Sequence, residues 1–276
     1  FAGCCDVLIA AQGAKFALSE IKVGIIGADG YASLMVPEKV LRYMAFSGNP
    51  LLAEQIAQWG GIWKVVPREQ VLEEALARAT GKPVVITGAS RTDAGVHARG
   101  QAFHFDTESS IPPEKYPFVL NTMLPRDIRV HTGQEVPAEF HARFMTAGKR
   151  YTYRICNSRH GTALGRNLMQ SAAQTLLGTH DFAAFQASGG TATTTVRTMR
   201  MAEVTRQGDD LTLVVEGDAF LYNMVRIIAG TLIEIGLRRR GTDAFLRAFD
   251  TMDRLALGVT APACGLELTK VYYPEA

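Results

Sequence analysis

Residues 88–98 read Gly-Ala-Ser-Arg-Thr-Asp-Ala-Gly-Val-His-Ala, and this stretch decides how the rest of the chain is interpreted. The apolar run at 83–87 before it predicts a buried strand, and the alternating run at 101–105 after it predicts a second strand. Asp93 therefore lies on a loop between two rigid elements, where catalytic groups are commonly presented. Arg91 can hold this carboxylate ionised and orient it, because a nearby opposite charge favours the charged form.

The same loop has a simpler interpretation as a tight turn in which Thr92 and Asp93 cap backbone amides. Such turns are common, so spacing alone favours the turn. The full string Arg-Thr-Asp-Ala-Gly-Val-His-Ala at 91–98 is much more specific than a lone glycine pattern. It resembles the signature loop of the tRNA pseudouridine synthase A family, and this resemblance favours a catalytic loop.

The composition limits the number of domains but does not indicate a binding partner. The chain has 276 residues and a net charge of only +2, with 47% hydrophobic and 20% charged residues. It has room for one large or two ordinary globular domains. Total charge does not indicate a nucleic-acid partner. Local basic clusters could contact RNA, although each is more typical of a solvated face. These clusters are Arg143, Lys149 with Arg150, Arg154, and residues 238–240.

Cysteine and histidine usage argues against a metal site. The four cysteines are Cys4, Cys5, Cys156 and Cys264, and neither they nor the six histidines have metal-ligand spacing. We therefore expect no metal and a reducing, cytoplasmic setting. The longest apolar runs are too short to span a membrane.

The hydrophobic periodicity predicts an α+β fold. Strands followed by helices, with two-residue alternation in most strands, predict antiparallel sheets with helices packed on one face. The turn at 207–210 predicts two antiparallel neighbours. Predicted strands are 83–88, 101–107, 128–133, 149–156, 197–206, 210–217 and 266–273. Predicted helices are 38–46, 51–59, 69–79, 114–122, 166–178, 219–237 and 242–256.

Three further stretches extend the resemblance to the tRNA pseudouridine synthase A family over about residues 70–276. They are Phe-His-Ala-Arg-Phe at 140–144 with Lys-Arg-Tyr-Thr-Tyr at 149–153, Gly-Thr-His-Asp-Phe at 178–182, and Asp-Ala-Phe-Leu-Tyr-Asn-Met-Val-Arg at 218–226 with Ile-Ile-Ala-Gly-Thr-Leu at 227–232. The family's opening strand is not found ahead of the helix at 69–79, and the connection after Cys156 is short. The Gly-Thr-His-Asp-Phe run is expected at the end of a helix that leads into a loop.

The resemblance implies roles for five residues. Asp93 corresponds to the family's catalytic aspartate, which can add covalently to the sugar or the base or help deprotonate the sugar. Tyr151 corresponds to an active-site tyrosine that can stack on a flipped uracil, the alternative being a half-buried strand tyrosine. Arg226 would pair with the catalytic carboxylate, the alternative being an arginine that extends from the helix edge to solvent. Arg91 and Arg143 would contact phosphates or order the loop.

The resemblance also implies partners. It predicts a homodimer whose cleft receives the anticodon arm of tRNA, with target uridines at tRNA positions 38–40. Cofactors and metals are not needed, because the uracil stays bound and no group is transferred out. The catalytic region would extend over residues 79–276.

The amino-terminal part resembles a different family, the crotonase (enoyl-CoA hydratase/isomerase) superfamily. The resemblance lies in Ala-Lys-Phe-Ala-Leu-Ser-Glu-Ile-Lys-Val-Gly-Ile-Ile at 14–26 and Gly-Gly-Ile-Trp-Lys-Val-Val-Pro at 60–67. It predicts a partial crotonase-like α/β segment over residues 1–78. Glu20 aligns with one of that family's two acid/base glutamates. The second glutamate and both oxyanion-hole amides would precede Phe1. Without those amides an enolate could not be stabilised, so we expect Glu20 to be a relic, an ordinary helix or turn glutamate in this chain.

The two resemblances meet in one helix at 70–80, where Leu-Glu-Glu-Ala-Leu-Ala at 72–77 suits both families. The chain is then a chimera, with a natural fusion, an engineered joint and a sequence-assembly artefact all left open. Three functions follow. The first is a tRNA pseudouridine synthase, an isomerase; the second is a crotonase-type acyl-CoA hydratase/isomerase; the third is an inactive RNA-binding chimera.

Overall fold

The structure, a computed structural model, describes residues 8–18, 22, 32–157 and 164–274. It has two compact units: Phe1–Ile86 with Phe105–Glu139 (unit 1), and Thr87–His104 with Phe140–Ala276 (unit 2). The predicted mixed α+β fold is confirmed. The predicted boundary between residues 78 and 79 follows family resemblance rather than contacts and stays a prediction. Cys4, Cys5, Glu20 and the apolar run at 23–27 lie outside the described residues.

Unit 1 is built from short strands and helices around its own apolar core. Strand β1 pairs in parallel with β4, and β2 pairs antiparallel with β3. The elements are β1 (Ile9–Ala11), β2 (Lys15–Phe16), α1 (Glu38–Ser47), β3 (Leu51–Leu52), α2 (Ala53–Ala57), β4 (Lys64–Val66), α3 (Val71–Thr80) and α4 (Tyr116–Asn121). No helix in the described part of the chain is both long enough and apolar enough to cross a bilayer.

Helix α3 forms where the sequence predicts it. Val71, Ala75 and Leu76 lie on one face at helical spacing, and all three are fully inaccessible to solvent. A 3₁₀ turn at Arg68–Gln70 leads into the helix. Gly81 ends it with a φ of 76°, a left-handed conformation that glycine adopts without strain. The buried face packs against β1 and α4.

Unit 2 contains a six-stranded sheet in the order β6-β12-β8-β11-β10-β9. Its strands pair antiparallel except for the edge strand β6, which runs parallel to β12. A separate two-stranded ladder joins β5 and β7. The elements are β5 (Thr87–Gly88), β6 (His97–Ala98), β7 (Phe103–His104), β8 (Gly148–Cys156), α5 (Arg166–Gln174), β9 (Gly178–Asp181), β10 (Val196–Gln207), β11 (Asp210–Gly217), α6 (Met224–Gly236), α7 (Ala244–Thr251) and β12 (Leu266–Tyr272).

The core of unit 2 lies between this sheet and helices α5 and α6. Along β11, Leu211, Leu213 and Val215 alternate inward and are fully buried. Helix α6 is apolar on nearly every side and has most of its residues buried. A helix with this composition is stable only when it is enclosed, so α6 is held firmly in the unit.

Strand β8 has two chemically different faces. Tyr151 and Tyr153 join the apolar core. On the other face, Arg150 pairs with Glu216 at 2.8 Å, and Arg154 pairs with Glu267 at 2.7 Å. Because side chains alternate along a strand, the register that buries the tyrosines places the charged pairs on the opposite side.

Several predicted helices are shorter than expected, because residues in left-handed conformations lie at or near their boundaries. Asn223 has a φ of 60°, so the helix predicted at 219–237 begins only after it. Met252 has a φ of 53° and ends α7, which was predicted to extend to residue 256. Gly178 has a φ of 99° and begins strand β9, where a helix end was expected.

Two predicted strands are also corrected. Residues 128–133 form a loop, since the side chain of Asn121 bonds the N–H and the C=O of Val130 at 2.9 and 2.8 Å and replaces a strand neighbour. Of the strand predicted at 83–88, only Thr87–Gly88 is paired. Val85 is 83% exposed, so this apolar run is not the buried strand that its composition predicts.

Candidate functional site

The loop between β5 and β6 forms a turn, and it leaves the carboxylate of Asp93 available to other groups. Val96 N donates to Asp93 O at 3.0 Å, and Gly95 takes a φ of 84° that favours glycine. A Cβ at Gly95 would lie 3.4 Å from that of Ala263. Within the described residues the Asp93 carboxylate caps no backbone amide. The turn is therefore made by the backbone, and the side chain is directed elsewhere.

The partner of Asp93 is Arg226, in the first turn of α6. Arg226 Nη1 lies 3.2 Å from Asp93 Oδ2. The same guanidinium donates to Asn223 Oδ1 at 2.7 Å and to the carbonyl of Ala261 at 2.8 Å. The side chains are 18% exposed for Arg226 and 27% for Asp93. The carboxylate is thus fixed by a cation yet still reachable by a ligand.

Tyr151 reaches the same loop from β8. Its hydroxyl lies 2.8 Å from Ser90 Oγ, and its ring contacts Phe220 edge-on at 5.1 Å between centroids. Burial raises the pKa of Tyr151 above its ordinary value; the hydrogen bond to Ser90 lowers it and the negative charge of Asp93 raises it. The phenol therefore stays protonated and can act as a hydrogen-bond donor near Asp93.

Three successive residues ahead of Asp93 are each held by a side chain. Arg143 Nε donates to the carbonyl of Gly88 at 3.3 Å, and Lys149 Nζ donates to that of Ala89 at 2.8 Å. Gln101 bonds both the N–H and the C=O of Ser90, at 3.2 and 2.7 Å. The loop is thus fixed at its base before it reaches the carboxylate.

Lys149 is buried enough to change its titration. Burial, with a smaller contribution from the positive charge of Arg143, lowers the pKa of Lys149 to about 8. Sequence reasoning treated this lysine only as part of a basic cluster. Its position two residues before Tyr151 on β8 was the available signal, because residues i and i+2 of a strand share a face.

The five predicted site residues do not all meet. Asp93, Arg226 and Tyr151 converge on the loop, and Arg143 contacts the base of that loop. Arg91 is exposed, and the part of the chain that the structure describes gives it no ion pair. The expectation that Arg91 orients Asp93 is corrected: Arg226 reaches the carboxylate from the first turn of α6, while Arg91 is exposed to solvent. Contact with phosphates stays a prediction for Arg91.

These groups define a class of site. A reachable carboxylate, held by an arginine beside a protonated phenol, is suited to nucleophilic or acid–base chemistry. Among the residues that the structure describes, no group of three or more His, Cys, Asp or Glu side chains is placed to hold a metal ion.

Comparison with known proteins identifies the family. The family model for tRNA pseudouridine synthase matches residues 63–145 and 172–274. A tRNA pseudouridine synthase A of Ruminiclostridium cellulolyticum is 44% identical over 218 residues, 74% of this chain and 89% of that protein. One from Brevibacillus brevis is 42% identical over 240 residues, 83% of this chain and 94% of that protein. The chain belongs to the tRNA pseudouridine synthase family.

The amino-terminal part matches a second family, enoyl-CoA hydratase/isomerase, over residues 1–82. The crotonase resemblance is thereby confirmed, and the two family matches overlap at 63–82. Human enoyl Coenzyme A hydratase domain-containing protein 3 is 30% identical and covers 28% of this chain, with a TM-score of 0.28. A carnitinyl-CoA dehydratase from Mycobacterium avium is 35% identical and covers 29%, also with a TM-score of 0.28. The chain spans 32% of each of those solved proteins.

Proposed function

We propose that this protein isomerises uridine to pseudouridine in tRNA, with Asp93 as the catalytic carboxylate. The observation that carries the proposal is the pair of Asp93 with Arg226, 3.2 Å apart, on the signature loop of a chain in the tRNA pseudouridine synthase family. Positions 38–40 of the anticodon arm are the proposed targets. A cytoplasmic homodimer is the proposed form.

The reaction is an internal exchange of bonds. The bond from N1 of uracil to C1′ of the ribose breaks, the base turns, and a new bond forms between C5 and C1′. C5 then loses its proton and N1 gains one, so the product is an isomer of the substrate. Cleavage leaves C1′ electron-deficient, and a fixed carboxylate can add there, add to the base, or help to deprotonate the sugar.

The side chains around Asp93 have separate tasks in this scheme. Arg226 holds one oxygen of the carboxylate, which leaves the other free to meet the substrate. Tyr151 is nearly buried and binds Ser90, so its hydroxyl positions the loop. Tyr151 as a whole residue is only 7% exposed, which limits the area that a uracil could stack upon. The proposed role of Tyr151 is therefore positioning first and base contact second.

The proposal is tested by the release of tritium from tRNA labelled at C5 of uridine. The purified chain should release tritium, while Asp93→Asn should bind the same tRNA and release none. Asp127→Asn is a matched control, because Asp127 is an exposed aspartate in unit 1 that pairs with the exposed Arg68. Turnover by Asp93→Asn would refute the assigned carboxylate. RNA binding without turnover by the parent would identify an inactive RNA-binding chimera instead.

A further inference from the structure

A basic depression lies at the end of α6 that is distant from Arg226. Two adjoining hollows, of about 360 and 570 Å³, share Leu168 and Arg238 in their walls. The first is completed by Ile235 and residues 239–242, and the second by residues 165–167. We call the two together the arginine depression. Leu168 and Ile235 contribute apolar surface to its lining, and Arg166 and residues 238–240 contribute positive charge.

The positive charges of this depression are only partly neutralised. Arg240 donates to Glu234 Oε2 at 2.8 Å and so has an acidic partner. Within the described residues, Arg166 and Arg238 form no ion pair; Arg166 Nε donates to the carbonyl of Val204 at 2.8 Å and its Nη1 donates to Asn167 Oδ1 at 3.3 Å. Arg239 forms no ion pair there either, although its charge interacts with that of Glu234. The nearby acid Asp243 is already paired with Arg247 at 3.2 Å. Glu234 thus faces Arg239 and Arg240, and the net charge of the cluster stays positive.

The backbone adds to this positive potential. Helix α5 begins at Arg166 beside the depression, with Gly165 as an N-cap that makes no side-chain hydrogen bond. Its first turn contains no acidic residue. The first N–H groups of a helix have no partner within the helix, and together they carry a partial positive charge. This end of α5 thus supports anion binding by the arginines.

Arg238 is kept in a conformation that normally belongs to glycine. Its φ is 59°, which residues with a Cβ adopt at an energetic cost. Such outliers persist only where the surrounding structure holds them, and they are often found at functional sites. Residues 165–168 also lie between the two stretches that match the family, 63–145 and 172–274. The depression is thus built partly by residues outside the matched family pattern.

We propose that the arginine depression binds backbone phosphates of the RNA substrate, as an anchor remote from the target uridine. The proposal rests on the proposed function in taking tRNA as that substrate. Gly236 lies ten residues after Arg226 on α6, which places the anchor about 15 Å along the helix from the catalytic pair. Several guanidinium groups around two open hollows suit a run of phosphodiesters better than one small anion.

The test uses the full chain carrying Arg238→Gly with Arg239→Gln. Glycine is the unstrained residue at position 238, so this variant should fold. We expect its Kd for tRNA to rise about 10-fold at 100 mM salt, and the slope of log Kd against log salt to fall by about 2, as for two lost phosphate contacts. The rate of tritium release at saturating tRNA should stay that of the parent. The control is Lys39→Gln with Arg42→Gln, which removes two charges from the exposed face of α1.

Three outcomes would overturn the anchor. One is an unchanged Kd and salt slope. Another is a rise in Kd no larger than that of the control variant, because such a rise would reflect net charge alone. Weaker binding of inorganic phosphate with unchanged tRNA binding would show a site for small anions. A parent that binds tRNA without releasing tritium would refute the proposed function only, because the binding measurement still decides the anchor.

Discussion

Arg226 and Ala261 are joined twice. Arg226 Nε donates to the carbonyl of Ala261 at 2.8 Å, and Ala261 N donates to the carbonyl of Arg226 at 3.0 Å. The side chain and the backbone of the arginine are thus fixed by the same residue of a neighbouring segment. Because the reciprocal pair leaves the guanidinium little freedom, its remaining donors are directed at Asp93 and Asn223.

Arg226→Gln should therefore cost both stability and activity. We expect a loss of about 1–3 kcal/mol in the free energy of unfolding, because the partners of a half-buried guanidinium lose their donors. The kcat for tritium release should fall about 100-fold, as expected when a reacting group is displaced by about 1 Å.

A double-mutant cycle with Asp93→Asn tests the pair directly. Urea unfolding of the parent, Asp93→Asn, Arg226→Gln and the double variant should give a coupling energy of about 0.5–3 kcal/mol. Additive effects would show that the two side chains do not interact in solution.

Tyr151→Phe should lower the kcat with little change in the KM. The variant keeps the ring against Phe220 and loses only the hydroxyl that bonds Ser90, so about 1 kcal/mol of stability should be lost. Tyr272→Phe is the control, since it loses a hydroxyl bonded to Glu216 on the other face of the sheet. Equal kcat values in the two variants would contradict a positioning role for Tyr151.

Lys149 should make the stability depend on pH in a defined window. The pKa of Lys149 is lowered by burial from 10.5 to about 8 in the folded chain. Between these values the unfolded chain binds more protons than the folded chain, so this residue makes the free energy of unfolding rise with pH. Below pH 8 both states are protonated and its contribution is constant.

The measurement is urea unfolding of the parent and Lys149→Met from pH 7 to pH 9.5. The parent should gain stability relative to the variant as the pH rises above 8. The same comparison with Lys82→Met, an exposed lysine paired with Glu108, is the control for the loss of a lysine from the surface. A flat difference between the parent and Lys149→Met would contradict the lowered pKa of Lys149.

Gly230→Ala should be among the most destabilising small substitutions in unit 2. A Cβ at Gly230 would lie 1.8 Å from the backbone carbonyl oxygen of Val259, which cannot move aside without shifting the segment that holds Arg226. We expect a loss of about 3 kcal/mol or more. At Gly236 the added Cβ would meet the flexible side chain of Met169 at 2.9 Å, so Gly236→Ala should cost less. Thermal and urea unfolding would rank the two.

Sequence reasoning predicted the long elements of unit 2 well, because their patterns are local. The two-residue alternation of β8, β10 and β11 predicted their positions to within a residue. The start of α6 was placed five residues early, since 219–223 are mostly apolar and only the backbone angle of Asn223 excludes them.

The sequence predicted those contacts of the site that join one side chain to another. The family resemblance pointed to Asp93 and Arg226, which the structure brings into contact. Loop ordering was one of the two roles expected of Arg143, but the partner atoms of Arg143 and Lys149 could not be predicted, because they are the carbonyls of Gly88 and Ala89, which any residue would present. Arg91 was misassigned as the partner of Asp93 because closeness in sequence was taken for closeness in space.

Helix α3 lies entirely within the overlap of the two family matches, residues 63–82. Its three fully buried residues keep one helical phase through that overlap. Each residue of an α-helix advances about 100° around the axis. Inserting or deleting one residue within α3 would therefore rotate the buried residues on one side of the change by about 100° relative to those on the other side. Substitutions on the exposed face leave this phase unchanged. The packing of α3 therefore constrains the length of this helix more strictly than the composition of its exposed face.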